Sequence, residues 1–515
     1  MFGRATGGAM RVTRRQFLAS VSVAATASVV GCRSSAERPV AMENTSELLE
    51  LSAGQAVDRM KRGELTAESY AQTLLAQCER GKALNAFITL EPERVLEAAR
   101  AADRKRKSGT QLGPLHGLPI PIKDSVNTKD YPTTGGTPGL RHFRPKEDAA
   151  IVRKLVDAGA IIQGKTNLHE LSYGWTSNNL AFGAVHNPYD RTRIPGGSSG
   201  GTAAAVAARM SPLGIAEDTE GSIRVPAAMC GIAGLRPTTG RYPSTGVVPI
   251  SALFDQVGPH ARTVADLVLF DSVVTGDASA MAPRALAGVK LGVARGYWFK
   301  DLDPEVGRIA EEALRKLQQA GVEMVEAEVP DVERLRKLTT WPIENHDVLP
   351  ALKKYLEENQ AGIAVEDVVA QASTDIQHDL HDVMPGGKFF VSEQAYQAAC
   401  GVYRSQLKKN YADYFRRTGV AAIVFPAIMF PPTPIGEAQD VMISGKKFGF
   451  AEAVSRNIAP GSTAGLPGLV LPAGMSTTGL PIAMEFDGPT GSDRELLALG
   501  LNLERALGRL PAPKV

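Results

Sequence analysis

Apolar residues recur at helical spacing in the first part of the chain body and gather into short solid runs beyond it. Ser52-Ala53-Gly54-Gln55 has capping-box spacing, Gly63 closes the segment it opens, and Thr66 caps a helix over 67–78. Glu91-Pro92-Glu93 opens another helix reaching about Lys107, with proline in its first turn. From Gly113 onward, apolar runs at 120–122, 160–162 and 210–215 alternate with helical stretches and glycine-rich loops, as strands buried inside an α/β sheet do. The same grammar continues as a strand at 290–293, an amphipathic helix at 303–319 and a strand at 322–329. Residues 331–420 are helical and charged, 420–426 and 469–472 read as further buried strands, and a last helix covers about 493–507. No internal repeat or Pro/Ser-rich linker divides this body, so the expectation is one large α/β domain over 46–515 with a helical insertion at about 331–420.

Charge changes the picture only at the N-terminus. Lys and Arg total 57 against 55 Asp and Glu, but Arg4, Arg11, Arg14 and Arg15 fall in the first 32 residues, which hold no acid, leaving 53 basic residues against 55 acidic ones. A near-neutral body without a basic block does not suit nucleic acid or an anionic membrane surface as a main partner. Thr13-Arg14-Arg15-Gln16-Phe17-Leu18 precedes an apolar run ending at Val30, too short to span a bilayer. This reads as a cleavable twin-arginine export signal over 1–32, followed by a linker at 33–45, and the expected location is the periplasm. Val29-Val30-Gly31-Cys32 is lipobox-like, which would tether the protein to a membrane through a lipid on Cys32. Cys32, Cys78, Cys230 and Cys400 are too scattered for a disulfide framework or a tight zinc site, and Cys230 sits in a small apolar run that suits core packing.

Ten glycines between Gly196 and Gly246 mark backbone brought close to something. Pro195-Gly196-Gly197-Ser198-Ser199-Gly200-Gly201-Thr202 feeds an Ala-rich helix and offers hydroxyls and unhindered N–H groups, equally a phosphate loop or a structural turn. A second serine follows in Gly221-Ser222-Ile223-Arg224-Val225-Pro226, after Asp218-Thr219. Lys123 ends the apolar run Ile120-Pro121-Ile122; such a lysine ordinarily snorkels to the surface, but buried it is readily neutralised and becomes a base. Gly196-Gly197-Ser198-Ser199-Gly200 formally fits a nucleophile elbow, though no clear strand precedes it and the second serine and the lysine would go unused. His378 and His381 could share a helix face, yet with no third ligand a solvated helix is the simpler reading.

Together the three segments resemble the amidase signature family. The likeness covers roughly residues 45–510 and includes Gly164-Lys165-Thr166-Asn167, Gly234-Leu235-Arg236-Pro237-Thr238 and Ala464-Gly465-Leu466-Pro467, with 75 residues from Lys123 to Ser198 and 24 from there to Ser222. Arg241-Tyr242-Pro243-Ser244-Thr245-Gly246 and Glu485-Phe486-Asp487-Gly488-Pro489 look most like the mandelamide and indoleacetamide hydrolases. The resemblance implies an α/β/α sandwich with a large mixed sheet and a Ser-cisSer-Lys triad, in which Ser222 is nucleophile, Lys123 base and Ser198 the bridge, with a cis bond at Gly197-Ser198. It implies backbone N–H groups of Thr219, Glu220, Gly221 and Ser222 around the oxyanion, with Ser199, Asp218 and Arg224 supporting them, and Tyr173 and Trp175 lining the acyl pocket. It also implies a small-molecule amide substrate, no metal or cofactor, and an open oligomeric state that includes a homodimer. Glu220 departs from the small residue usual at its position, and Arg224 is the candidate partner for its carboxylate. Two alternatives are an amidotransferase glutaminase-type subunit and a catalytically silent binding protein of the same fold.

Overall fold

The computed structural model describes residues 45–436 and 439–514. The expected export signal over 1–32, Cys32 and nearly all of the expected linker lie outside the described residues. The described residues fall in one compact unit. Its strands, in chain order, are β1 Phe87–Thr89, β2 Pro119–Lys123, β3 Ile161–Thr166, β4 Leu213–Asp218, β5 Ala233–Arg236, β6 Gln256–Ala261 and β7 Lys290–Val293. Then follow β8 Glu323–Glu326, β9 Ala422–Pro426, β10 Asp440–Ile443, β11 Lys446–Gly449, β12 Gly468–Met475 and β13 Pro481–Asp487. Eleven of them form one sheet in the order β1, β3, β2, β4, β6, β5, β12, β13, β9, β7, β8, and β10 with β11 makes a separate hairpin. Within the sheet β2 runs parallel to β3 and β4, and β7 parallel to β8 and β9, while the other pairings are antiparallel, so the sheet is mixed.

Helices cover both faces, which is why the central strands lack polar alternation. Leu469 and Leu471 of β12 enter one core and Val470 enters another; in β13 Ile482, Met484 and Phe486 divide from Ala483 in the same way. The first core is closed by helices Val264–Thr275, Pro304–Gln319 and Asp493–Leu507, the second by Gly200–Ala207 and Arg224–Met229. Helix Gly200–Ala207 is buried on every side, and only small residues fit it there. A Cβ on Gly201 would collide with the Asn167 carbonyl oxygen.

Local signals set the N-terminal helices: Ser52 makes a full capping box, Gly63 closes that helix in the left-handed region at φ 74°, and Thr66 caps Ala67–Arg80. Strand edges differ more from the apolar pattern. The strand expected at 210–215 begins only at Leu213, because Ser211 turns its hydroxyl to Pro119 and Leu213 carbonyls and Pro212 has no N–H, and it runs on through Glu217 and Asp218. The segment 331–420 is helical, as its pattern indicates, beginning with Val332–Glu358, which continues through Pro342 and Pro350. It builds its own core with Leu140, Leu171 and Val248.

Candidate active site

Lys123 ends β2 and Glu217 lies near the end of the neighbouring parallel strand β4, where Ile122 pairs with Ile215. That register brings the two side chains together: Lys123 Nζ lies 2.7 Å from Glu217 Oε1 and 2.6 Å from Ser198 Oγ, and Lys123 is wholly buried. Burial pushes the Lys123 ammonium below its ordinary pKa, opposed by the Glu217 carboxylate. A second buried lysine, Lys165, is different. Its ammonium donates to the Thr133 hydroxyl at 2.9 Å and the Pro132 carbonyl at 3.0 Å and pairs with the Asp124 carboxylate at 3.0 Å, a structural role.

Ser198 sits in the turn before helix Gly200–Ala207, after a cis peptide bond at Gly197-Ser198. Its carbonyl accepts from the His169 N–H at 3.0 Å and the Ser177 hydroxyl at 3.1 Å. Ser199 donates its hydroxyl to the Glu217 carbonyl at 3.1 Å, tying the serine loop to β4. Ser222 stands in the turn between β4 and helix Arg224–Met229 and opens into a cavity of about 190 Å³ that Tyr173, Trp175, Thr219 and Glu220 also line.

Asp218 clamps the Ser222 turn. Its carboxylate accepts from the N–H groups of Gly221 at 2.8 Å and Ile223 at 3.0 Å, from Arg224 Nε at 3.1 Å and from Arg236 Nη1 at 3.0 Å. Those partners hold the Asp218 carboxyl well below the usual range despite its burial. The clamp corrects one expectation: the Gly221 N–H is donated to Asp218, which leaves Thr219, Glu220 and Ser222 as the backbone donors outside it. Thr219 also anchors through its hydroxyl, 2.7 Å from Asp255 Oδ1. A second correction concerns Arg224, which is spent on Asp218 and on Glu485 at 2.5 Å and does not reach for Glu220.

Glu220 instead turns its carboxyl along the cavity wall, accepting from Trp341 Nε1 at 3.0 Å. Its pKa is pushed up to about 7, chiefly by burial. Glu344 is raised well above the carboxylate range, first by burial and then by the Glu220 charge beside it. Tyr173 donates its hydroxyl to Asn345 Oδ1 at 3.1 Å. Trp341, Glu344, Asn345 and Asp379 all come from the 331–420 segment, and none of them, nor Glu217, stood out in the sequence. Cys230 is buried in the apolar core, as its surroundings suggested, and His378 faces Asp382 on an exposed helix at 3.9 Å.

A buried lysine in contact with one serine, and a second serine that opens into a pocket, are the kind of groups that acyl transfer uses. Residues 70–497 match the Amidase family, and the chain belongs to it as a hydrolase of amide C–N bonds. An indoleacetamide hydrolase of Agrobacterium vitis is 38% identical over 465 residues, covering 90% of this chain and 98% of the relative. A mandelamide hydrolase of Pseudomonas putida is 36% identical over 480 residues, covering 90% and 93%. The native peptide amidase structure from Stenotrophomonas maltophilia superposes with a TM-score of 0.76 at 27% identity, over 90% of this chain and 98% of that one.

Proposed function

We propose that the protein hydrolyses small aryl or otherwise hydrophobic carboxamides through an acyl-enzyme on Ser222. The Ser222 oxygen attacks the amide carbon while its proton passes to Ser198 Oγ and the Ser198 proton to neutral Lys123. The tetrahedral oxyanion is met by the N–H groups of Thr219, Glu220 and Ser222. As the C–N bond breaks, the relay reverses and protonates the leaving nitrogen, and water then hydrolyses the Ser222 ester by the same route. The observation that carries this reading is the 2.6 Å contact between wholly buried Lys123 Nζ and Ser198 Oγ, together with the cavity that Ser222 enters. The aryl preference draws on the aromatic lining of that cavity and on the substrates in the names of the two hydrolases above. The twin-arginine leader extends the proposal to export into the periplasm.

The test is ammonia release from indole-3-acetamide, mandelamide and aliphatic amides, with intact-mass detection of the acyl-enzyme. Wild type should consume aryl amides and gain the acyl mass, and Ser222→Ala should do neither. Undiminished ammonia release by that variant, or no turnover of any primary amide by wild type, would overturn the reading.

A further inference from the structure

The cavity beside Ser222 is walled by rings and acids. Tyr173, Trp175, Trp341 and Phe389 supply the rings, and Glu220, Glu344 and Asp379 the acids, while among the described residues no Lys, Arg or His lines it. Glu220 and Glu344 are only 3% and 6% exposed, and their carboxyl groups lie within hydrogen-bonding reach of one another. Two facing carboxyls hold a proton between them; Trp341 and the Ser455 hydroxyl also reach Glu220, and apart from the shared proton Glu220 Oε1 and Glu344 Oε1 are buried with no hydrogen-bond donor. The cation that faces the pair, Arg336, is engaged with Glu452 and stacks toward the Trp341 ring. Asp218 and Asp255, behind the loop, add negative potential at Glu344. Among the described residues no three acids, histidines or cysteines converge as metal ligands would, so the unmet oxygens suit a donor carried by the substrate itself.

We propose that this pocket selects amides whose acyl group carries a protonated amine beside an aromatic ring, with Glu220 and Glu344 receiving the ammonium. The inference rests on the amidase reading and names its substrate class. An ammonium has three N–H donors, enough for both orphaned oxygens, and the aromatic wall favours a cation over its ring faces. When it binds, the proton shared by the two carboxyls is released to solvent, so two carboxylates face one cation.

The experiment compares L-phenylalaninamide with 3-phenylpropanamide, which has the same ring and amide without the amine, at about pH 6.5 where the amine is mostly protonated. Titration calorimetry on Ser222→Ala reads binding without turnover. The cationic amide should bind at least tenfold more tightly, with net proton release seen across buffers of different ionisation heat. Adding Glu344→Gln should remove most of that preference while leaving the neutral amide within about twofold. Equal or tighter binding of 3-phenylpropanamide, or a preference that survives Glu344→Gln, would overturn the inference, and the first outcome needs no folded Glu344 variant. Ammonia release by wild type from either amide reports separately on the amidase reading.

Discussion

Glu217→Gln should move the acid limb of the pH–rate profile to lower pH. In the proposed relay Lys123 must be neutral to accept the Ser198 proton, and two opposing effects set how often it is: burial favours the amine, and the Glu217 carboxylate 2.7 Å away favours the ammonium. Glutamine keeps an oxygen able to accept from Nζ but removes the charge. An opposite charge this close typically moves a pKa by about 1 to 3, so the Lys123 pKa should fall by that amount, equivalent to about 1.4 to 4 kcal/mol. The sign follows from the protonation state. A lower lysine pKa means the neutral base persists further into acid, so at a fixed acid pH kcat/KM should rise by up to about tenfold for each pH unit the limb travels. On the plateau the weaker base should transfer protons less effectively, and kcat should fall modestly there. The assay is kcat/KM on an aryl amide from about pH 4 to 9, since that parameter reports the free enzyme's groups. An acid limb that stays in place, or moves to higher pH, would refute Glu217 as the group that holds the proton on Lys123.

Lys123→Ala and Ser198→Ala should each cost most of the activity, and the double variant little more than the worse single one, because residues of one proton relay are strongly non-additive; single-turnover acylation rates check this. Arg224→Leu should destabilise the fold by about 3 to 5 kcal/mol in urea titration, since it strands the buried carboxylates of Asp218 and Glu485. Glu220→Gln should raise stability at alkaline pH: its carboxyl is lifted from 4.5 to about 7, so wild type loses stability as pH rises through that window, by at most about 3 kcal/mol. Calorimetric melting at about pH 5 and pH 8 should show a gain only at the higher pH. Arg14→Lys with Arg15→Lys should retain the protein in the cytoplasm, and Cys32→Ser should release it from membranes if the lipobox is used, both read by cell fractionation.

Much of the architecture was legible because burial on both sheet faces leaves solid apolar runs, as at β2, β9 and β12, and because caps such as Ser52 and Thr66 are local. β6 was not legible. Its Gln256-Val257-Gly258-Pro259-His260-Ala261 has no apolar run, yet every residue is buried, and His260 Nε2 lies 2.7 Å from the Ile223 carbonyl. The same limit hid half of the site. Lys123, Ser198 and Ser222 stand in glycine-rich or apolar settings that make a polar residue conspicuous. Glu217 closes a strand and Glu344 sits in a charged helix, where an acid is ordinary until the fold buries it. The expected pairing of Glu220 with Arg224 failed for a related reason: Arg224 is two residues past Ser222 in sequence, but the helix it opens points it back at Asp218 and across to Glu485.

Several of the buried charges are met by ion pairs. Lys123 faces Glu217, Lys165 faces Asp124, and Arg224 with Arg236 faces Asp218 and Glu485, while Asp487 beside Glu485 is pushed toward its neutral form. On the cavity wall no Lys, Arg or His stands among the described lining residues, and Arg336, which acts on Glu220, already answers Glu452. Burying an acid without a cation costs stability, and these acids stand on the wall that ligand and product would pass. Hydrolysis of an amide turns a neutral group into a carboxylate beside that wall, and like charges repel most strongly where water is scarce. The wall that draws in a cationic substrate should therefore expel the acid product of a neutral one. Product inhibition gives the measure: 3-phenylpropanoate should inhibit wild type weakly, and Glu344→Gln should strengthen that inhibition several-fold. An inhibition constant unchanged by the substitution would mean that the product carboxylate never meets the wall's charge.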